Sequence, residues 1–279
     1  MKPARFLHLV AHRGDAAGHP ENTLPAFQSA LDLGVRFIEV DTQVSANGVP
    51  MATRDASVIT EAGQVLVAEL SAAEISQLDA SEPQRFGDKF KGTCIPRLID
   101  VISLITKRPE TTVFINVGRA SLSHFGPDQV VAQVSDTLKP FRARCIVVSQ
   151  DLPAIHRARQ TGGFPIGWSI PTFDNHTRIK YEALQPEYLF CDRGMAPPAG
   201  PLWRGPWRWV VRDVPTLEVA MSLAARGADF VATREVRALS EAMRAHAATL
   251  APPRNPETTI AGDDTTIARA TIVPRAQPR

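Results

Sequence analysis

FLHLVAHRGDAAGHPENTLPAFQSALDLGVRFIEVD, residues 6–41, decides the fold class. It opens on a short apolar run of strand length, Phe6–Ala11, and closes on another, Arg36–Asp41. Between them Leu24, Phe27, Ala30 and Leu31 recur at helical spacing. Asn22 is placed to cap that helix and Gly34 to end it in a left-handed turn. Two neighbouring strands joined through a helix run parallel, because the crossover returns the chain to its starting edge.

The alternation continues downstream. Strand-length runs are expected at Val49–Thr53, Thr112–Val117, Arg144–Val148, Pro165–Ser169, Glu187–Phe190, Trp207–Val211 and Asp229–Ala232. Helices are expected at Ser71–Leu78, Leu98–Thr106, Pro127–Leu138, Leu152–Thr161, Thr216–Arg226 and Val236–Thr249. With the first two, that makes one strand more than an eight-stranded α/β barrel takes. The gap from Asp41 to Val49 is too short for a crossover helix, so one of those two strands is expected to be accessory, joined by a hairpin-like excursion at Asn47-Gly48. Asp79–Pro96 has no clear period and reads as a small insertion above the barrel. From Ala251 onward the chain is rich in Pro, Thr, Arg and Ala, too poor in apolar surface to offset chain entropy, and reads as a disordered tail. The expected division is one barrel domain over 1–250 and a tail over 251–279.

Composition removes several function classes. In 279 residues, 31 Lys and Arg stand against 29 Asp and Glu, so a nucleic-acid partner is not indicated and any cationic site must be local. No apolar run is long enough for a membrane span. The three cysteines are far apart and without a Cys-x-x-Cys spacing, which fits a reducing, cytoplasmic setting rather than a disulfide framework. Neither a Gly-x-Gly-x-x-Gly nor a Gly-Lys-Ser/Thr phosphate loop occurs.

In an α/β barrel the reactive groups follow the strand ends. The first strand delivers His12-Arg13-Gly14: an imidazole that exchanges a proton near neutral pH, a guanidinium that holds two phosphate oxygens, and a glycine for a sharp turn. The second delivers Glu39 and Asp41, which alternation puts on one side of the sheet, as a hard oxygen pair suited to Mg²⁺ or Ca²⁺ or as partners for nearby arginines. Arg13, Arg54, Arg119, Arg193, Arg212 and Arg234 each follow a strand end and together describe a cationic mouth. Trp209 is read either as an apolar wall for the ligand or as core. Ser149 has no nucleophile spacing around it.

His12-Arg13-Gly14, Pro20-Glu21-Asn22-Thr23, Ile38-Glu39-Val40-Asp41, Asn47-Gly48-Val49-Pro50, Glu69-Leu70-Ser71, Ile95-Pro96-Arg97-Leu98, Trp209-Val210-Val211 and Gly227-Ala228-Asp229, taken in order, resemble the glycerophosphodiester phosphodiesterase family. The resemblance implies a TIM barrel and hydrolysis of a small phosphodiester to glycerol 3-phosphate and an alcohol. It also implies His12 as catalytic acid or base, Arg13 at the phosphate, and a divalent cation, Mg²⁺ or Ca²⁺, on Glu39, Asp41 and the position of Asn116. Four departures bear on these roles. Arg54-Asp55 stands where the pattern has His-Asp, and an arginine does not serve as a base at neutral pH. Asn116-Val117-Gly118 replaces a carboxylate followed by lysine, Thr233-Arg234 replaces Thr-Asp, and Arg212 replaces an asparagine. They predict a cation weakly held or absent, with Arg54 as a second phosphate contact. His19, and less so His8, are the imidazoles left to replace the missing one. The rival readings are a noncatalytic phosphate-ester binding protein on the same barrel and a phosphodiesterase that uses the substrate's own hydroxyl and leaves a cyclic phosphate.

Overall fold

The computed structural model describes residues 7–61 and 63–250; the expected tail at 251–279, and Phe6 at the start of the first expected strand, lie outside them. Among the described residues eleven strands are formed: β1 (His8–His12), β2 (Phe37–Val44), β3 (Pro50–Met51), β4 (Ser57–Thr60), β5 (Gly63–Leu66), β6 (Thr112–Val117), β7 (Cys145–Ser149), β8 (Ile166–Ser169), β9 (Tyr188–Asp192), β10 (Arg208–Arg212) and β11 (Phe230–Thr233). Eight of them, β1, β2 and β6 to β11, pair in parallel, and β11 closes back onto β1. The result is a TIM barrel with helices outside.

The barrel interior is filled by side chains rather than by a channel. Val10, Phe114, Ile146, Val148, Phe190, Val210, Phe230 and Ala232 form its central layer, all buried. Their neighbours in sequence point outward and pack the larger core beneath the helices. A buried aromatic such as Phe114 contributes about 1.5–3 kcal/mol by leaving water, so the strands are held from both faces.

The accessory strand is β3, paired antiparallel to the end of β2 through the Asn47-Gly48 turn and tied down by the Thr42 hydroxyl, which donates to the Met51 carbonyl at 2.8 Å. The segment after it folds as a β4–β5 hairpin that the residue pattern does not announce. Asp79–Pro96 is the expected insertion, built from two short helical turns, Pro83–Phe86 and Gly87–Phe90. Expected helix bounds hold at 98–105, 127–138, 152–162, 217–226 and 236–250, while the one after Ser71 is a single turn, Ala72–Ile75. Helices at Arg119–Phe125 and Asn175–Leu184 were not expected; the second buries only Thr177 and Tyr181 and carries little apolar period.

Asn22 corrects an expectation. The residue in the cap position of the first helix (Leu24–Asp32) is Thr23, with no side-chain cap bond. Asn22 is instead left-handed, φ 57°, and its side-chain oxygen accepts the Asp41 backbone N–H at 3.1 Å. The motif thus ties the first loop to β2.

Candidate active site

Register assembles the site. Pairing of β1 with β2 sets His12 opposite Glu39, and pairing of β2 with β6 sets Asp41 opposite Asn116. Arg212 ends β10 with the same inward parity, one layer above Val210. All these side chains lie at the C-terminal mouth of the barrel, where catalytic groups of this fold collect. Of the five non-glycine residues with positive φ among those described, Arg13, Asn22 and Asp213 border the cluster, so the chain accepts left-handed strain of about 1–3 kcal/mol per residue to turn there.

His12 is buried, with Nε2 4.0 Å from Glu39 Oε2 and Nδ1 4.0 Å from Asp213 Oδ1. Burial outweighs the raising effect of Glu39 and Asp41 and moves its pKa below the ordinary 6.5, so the ring is neutral at pH 7. Arg13 Nε donates to Asp41 Oδ2 at 2.6 Å and Nη1 to both oxygens of Glu21 at 3.0 and 3.1 Å. Asn116 Nδ2 donates to the other Asp41 oxygen at 2.7 Å. Burial pushes the Asp41 carboxyl up, but Arg13 and its other neighbours overcome this and hold it below the usual range. Arg212 Nε donates to Glu39 Oε1 at 2.8 Å, its Nη2 is 2.7 Å from the same oxygen, and its Nη1 donates to Ser169 Oγ at 2.8 Å.

These contacts test the cation that the resemblance implies. Asp41 has both oxygens engaged by donors, Glu39 has one engaged by an arginine, and Asn116 turns its amide nitrogen, not its oxygen, toward Asp41. Arg13 is shared by Asp41 and Glu21, and Arg212 holds Glu39, so the carboxylates that would take a divalent ion are each already paired with a guanidinium. No group of three or more His, Cys, Asp or Glu suited to a metal ion occurs among the described residues. As arranged, the donor set does not fit a divalent cation.

The remaining sequence candidates divide. Arg54 is exposed and lines a side cavity of about 410 Å³, shared with Glu21, Asp79, Arg85 and Arg234, rather than joining the His12 cluster. Arg234 pairs with Glu21 at 2.7 Å, and Arg193 donates to the Asp213 carbonyl at 3.2 Å. Arg119 is exposed at the start of its helix. Trp209 is a correction: it has the outward parity on β10, its Nε1 donates to the Trp203 carbonyl at 2.8 Å, and its ring stacks near Phe173, so it is core and no wall of the site. His19 sits 3.4 Å from Asp15 and against the Phe90 ring, and His8 lies at the opposite end of the barrel against Phe37 and Phe230. Neither reaches His12. The residue pattern missed the bridging part of Glu21 and the pairing of Arg212 with Glu39; the Pro20-Glu21-Asn22-Thr23 motif and the inward parity of Arg212 were the available signals.

At Gly118, where the resemblance has a lysine two residues beyond a carboxylate, a side chain would collide with Gln43: the Gln43 amide lies 2.2 Å from where a β-carbon would stand. Gln43 in turn accepts from Ser121 N and Oγ and donates to the Arg54 carbonyl at 3.1 Å, which fixes the turn carrying Arg54. Gln43 thus packs the departures at 118 and 54 together, while Asn116 faces Asp41.

Comparison with known proteins agrees with this geometry. The sequence pattern of the glycerophosphoryl diester phosphodiesterase family matches residues 12–160. A glycerophosphodiester phosphodiesterase of Caldanaerobacter subterraneus subsp. tengcongensis is 41% identical over 98 residues, 35% of this chain and 40% of that protein. Mouse glycerophosphodiester phosphodiesterase 1 is 27% identical over 124 residues, 44% of this chain and 38% of that protein. The matched segment spans less than half the length of either relative. An Oleispira antarctica phosphodiesterase, solved with its product sn-glycerol-3-phosphate, shares the fold with a TM-score of 0.72 at 19% identity, over 86% of this chain and 96% of that one. With His12, Glu39 and Asp41 inside the matched segment, the chain belongs to the glycerophosphoryl diester phosphodiesterase family.

Proposed function

We propose that the chain is a phosphoric diester hydrolase that cleaves glycerophosphodiesters to glycerol 3-phosphate and an alcohol. The observation that carries this reading is the convergence of a buried neutral imidazole, His12, with two guanidinium groups, the buried Arg212 and the part-buried Arg13, at one mouth of the barrel. The guanidiniums orient the phosphate and meet the charge that grows on it in the transition state. His12 takes a proton from the attacking oxygen, Glu39 at 4.0 Å steadies the resulting imidazolium, and the proton passes on to the departing alcohol oxygen. General acid–base assistance of this kind contributes about 10²–10⁴-fold. Family membership supports the reaction class. The same reading puts the reaction in lipid headgroup turnover, and the three free cysteines support a reducing, cytoplasmic setting.

The test follows glycerol 3-phosphate release from glycerophosphocholine and glycerophosphoethanolamine, each with Mg²⁺, Ca²⁺ or chelator. The account expects turnover of at least one diester. Absence of turnover on every diester, with glycerol 3-phosphate still bound, would leave a phosphate-ester binding protein instead, and a cyclic phosphate product would mark attack by the substrate's own hydroxyl.

A further inference from the structure

Two buried polar atoms at the mouth, His12 Nδ1 and Glu39 Oε2, have no hydrogen-bond partner, and Arg212 Nη2 beside them has only its ion pair with Glu39 Oε1 at 2.7 Å. Buried polar groups are otherwise satisfied almost everywhere in proteins, so two on the paired strands β1 and β2, facing Arg212 of β10 across the mouth, mark a place prepared for something polar. Arg212 is the member that the family pattern does not supply. Its guanidinium is held from β2 by Glu39 and from β8 by Ser169, and it lies over the Phe190 ring of β9 at 4.7 Å. Only 8% of its side chain is exposed.

That placement leaves a cation only one oxygen of Glu39, the unpartnered Oε2. Mg²⁺ and Ca²⁺ bind carboxylate oxygen at about 2.0–2.6 Å. Glu39 Oε1 already has two guanidinium nitrogens at 2.7 and 2.8 Å, and Asn116 closes the second carboxylate. A divalent ion on Oε2 would stand beside a buried guanidinium whose like charge opposes it. Burial pulls the Arg212 pKa down, yet Glu39 overrides this and keeps it above its ordinary value, so its charge is permanent.

We propose that Arg212 is the site's built-in cation, a positioned guanidinium that takes a phosphate oxygen and makes binding independent of divalent metal. The proposal rests on the phosphodiester reading for the chemistry of the ligand. A guanidinium offers directional donors for a tetrahedral anion but does not acidify a bound water as a metal does, so activation of the attacking oxygen falls to His12.

The experiment has two arms on the full chain. Calorimetric titration of the metal-stripped protein with Mn²⁺ alone is expected to show no saturable binding. Titration with glycerol 3-phosphate in excess chelator is expected to show binding that Arg212→Gln weakens roughly 10- to 100-fold, as for loss of one charge-assisted contact. Arg212→Lys keeps the charge and is expected to bind between the two, which preserves the test if the glutamine variant does not fold. Saturable Mn²⁺ binding that Asp41→Asn abolishes overturns the proposal, as does glycerol 3-phosphate binding that requires Mn²⁺. The hydrolase reading is judged separately: turnover only with metal would retain it and sink this inference, whereas chelator-resistant binding without turnover would do the reverse.

Discussion

His12 lies between two carboxylates, each 4.0 Å from one ring nitrogen, yet its burial keeps it neutral. Because its folded pKa is below 6.5, the proton-accepting form persists into mildly acid solution, and the acid limb of kcat/KM is expected below pH 6.5. His12→Asn should lower kcat by about 10²–10⁴-fold with unchanged circular dichroism. The sign carries over to stability. The contribution of a neutral buried His12 is complete above pH 6.5 and is lost as pH falls through the lowered folded value; that of Asp41 is present above about 3.8 and lost below it. Denaturant titrations against pH should show stability falling in those two acid windows. Arg13→Ala leaves Asp41 and Glu21 short of their partner and should cost about 3–5 kcal/mol, read from the denaturation midpoint. Trp209→Phe, at an outward-facing core position, should lower the melting temperature and leave KM unchanged. His12, Glu39 and Asp41 were legible because they close the two early apolar runs, although β2 itself continues to Val44. The Glu39–Arg212 pair was not: its partners are 173 residues apart, and only barrel closure brings them together.

At the scale of elements, the loop after β1 carries the site because its backbone conforms to the first helix. Gly14 has φ +83°, and a β-carbon there would fall 2.6 Å from the Ala26 backbone, so Gly14→Ala should destabilise the protein and displace Arg13 together. The check is a joint loss of melting temperature and of kcat/KM. The insertion reaches the same loop: Glu82 accepts the Glu21 backbone N–H at 2.7 Å, and Arg85 donates to the Ala16 carbonyl at 2.6 Å. The helix after β1 and its Gly34 stop were readable from spacing and a left-handed turn. Asn22 was not, because a residue that suits a cap equally suits a left-handed bend, and the choice is made by its bond to β2. The hairpin at β4 and β5 was unreadable for a similar reason: Ile59 is 75% exposed and Leu66 42%, so no buried face imposed a period.

For the whole molecule, the barrel was legible because both faces of its strands are buried, which leaves continuous apolar runs that stand out from the helices. Nearly balanced charge leaves no general attraction for anions, and the arginines expected as one ring divide between the mouth, the side cavity and loop carbonyls. Phosphate binding therefore depends on convergence at one point. A crystal structure of the protein with glycerol 3-phosphate, grown in chelator, tests it most directly. The predicted result is a phosphate within hydrogen-bond distance of Arg13, Arg212 and His12, over the ends of β1, β2 and β10. A phosphate held instead in the side cavity by Arg54 and Arg85, with Arg212 still bound only to Glu39 and Ser169, would contradict it.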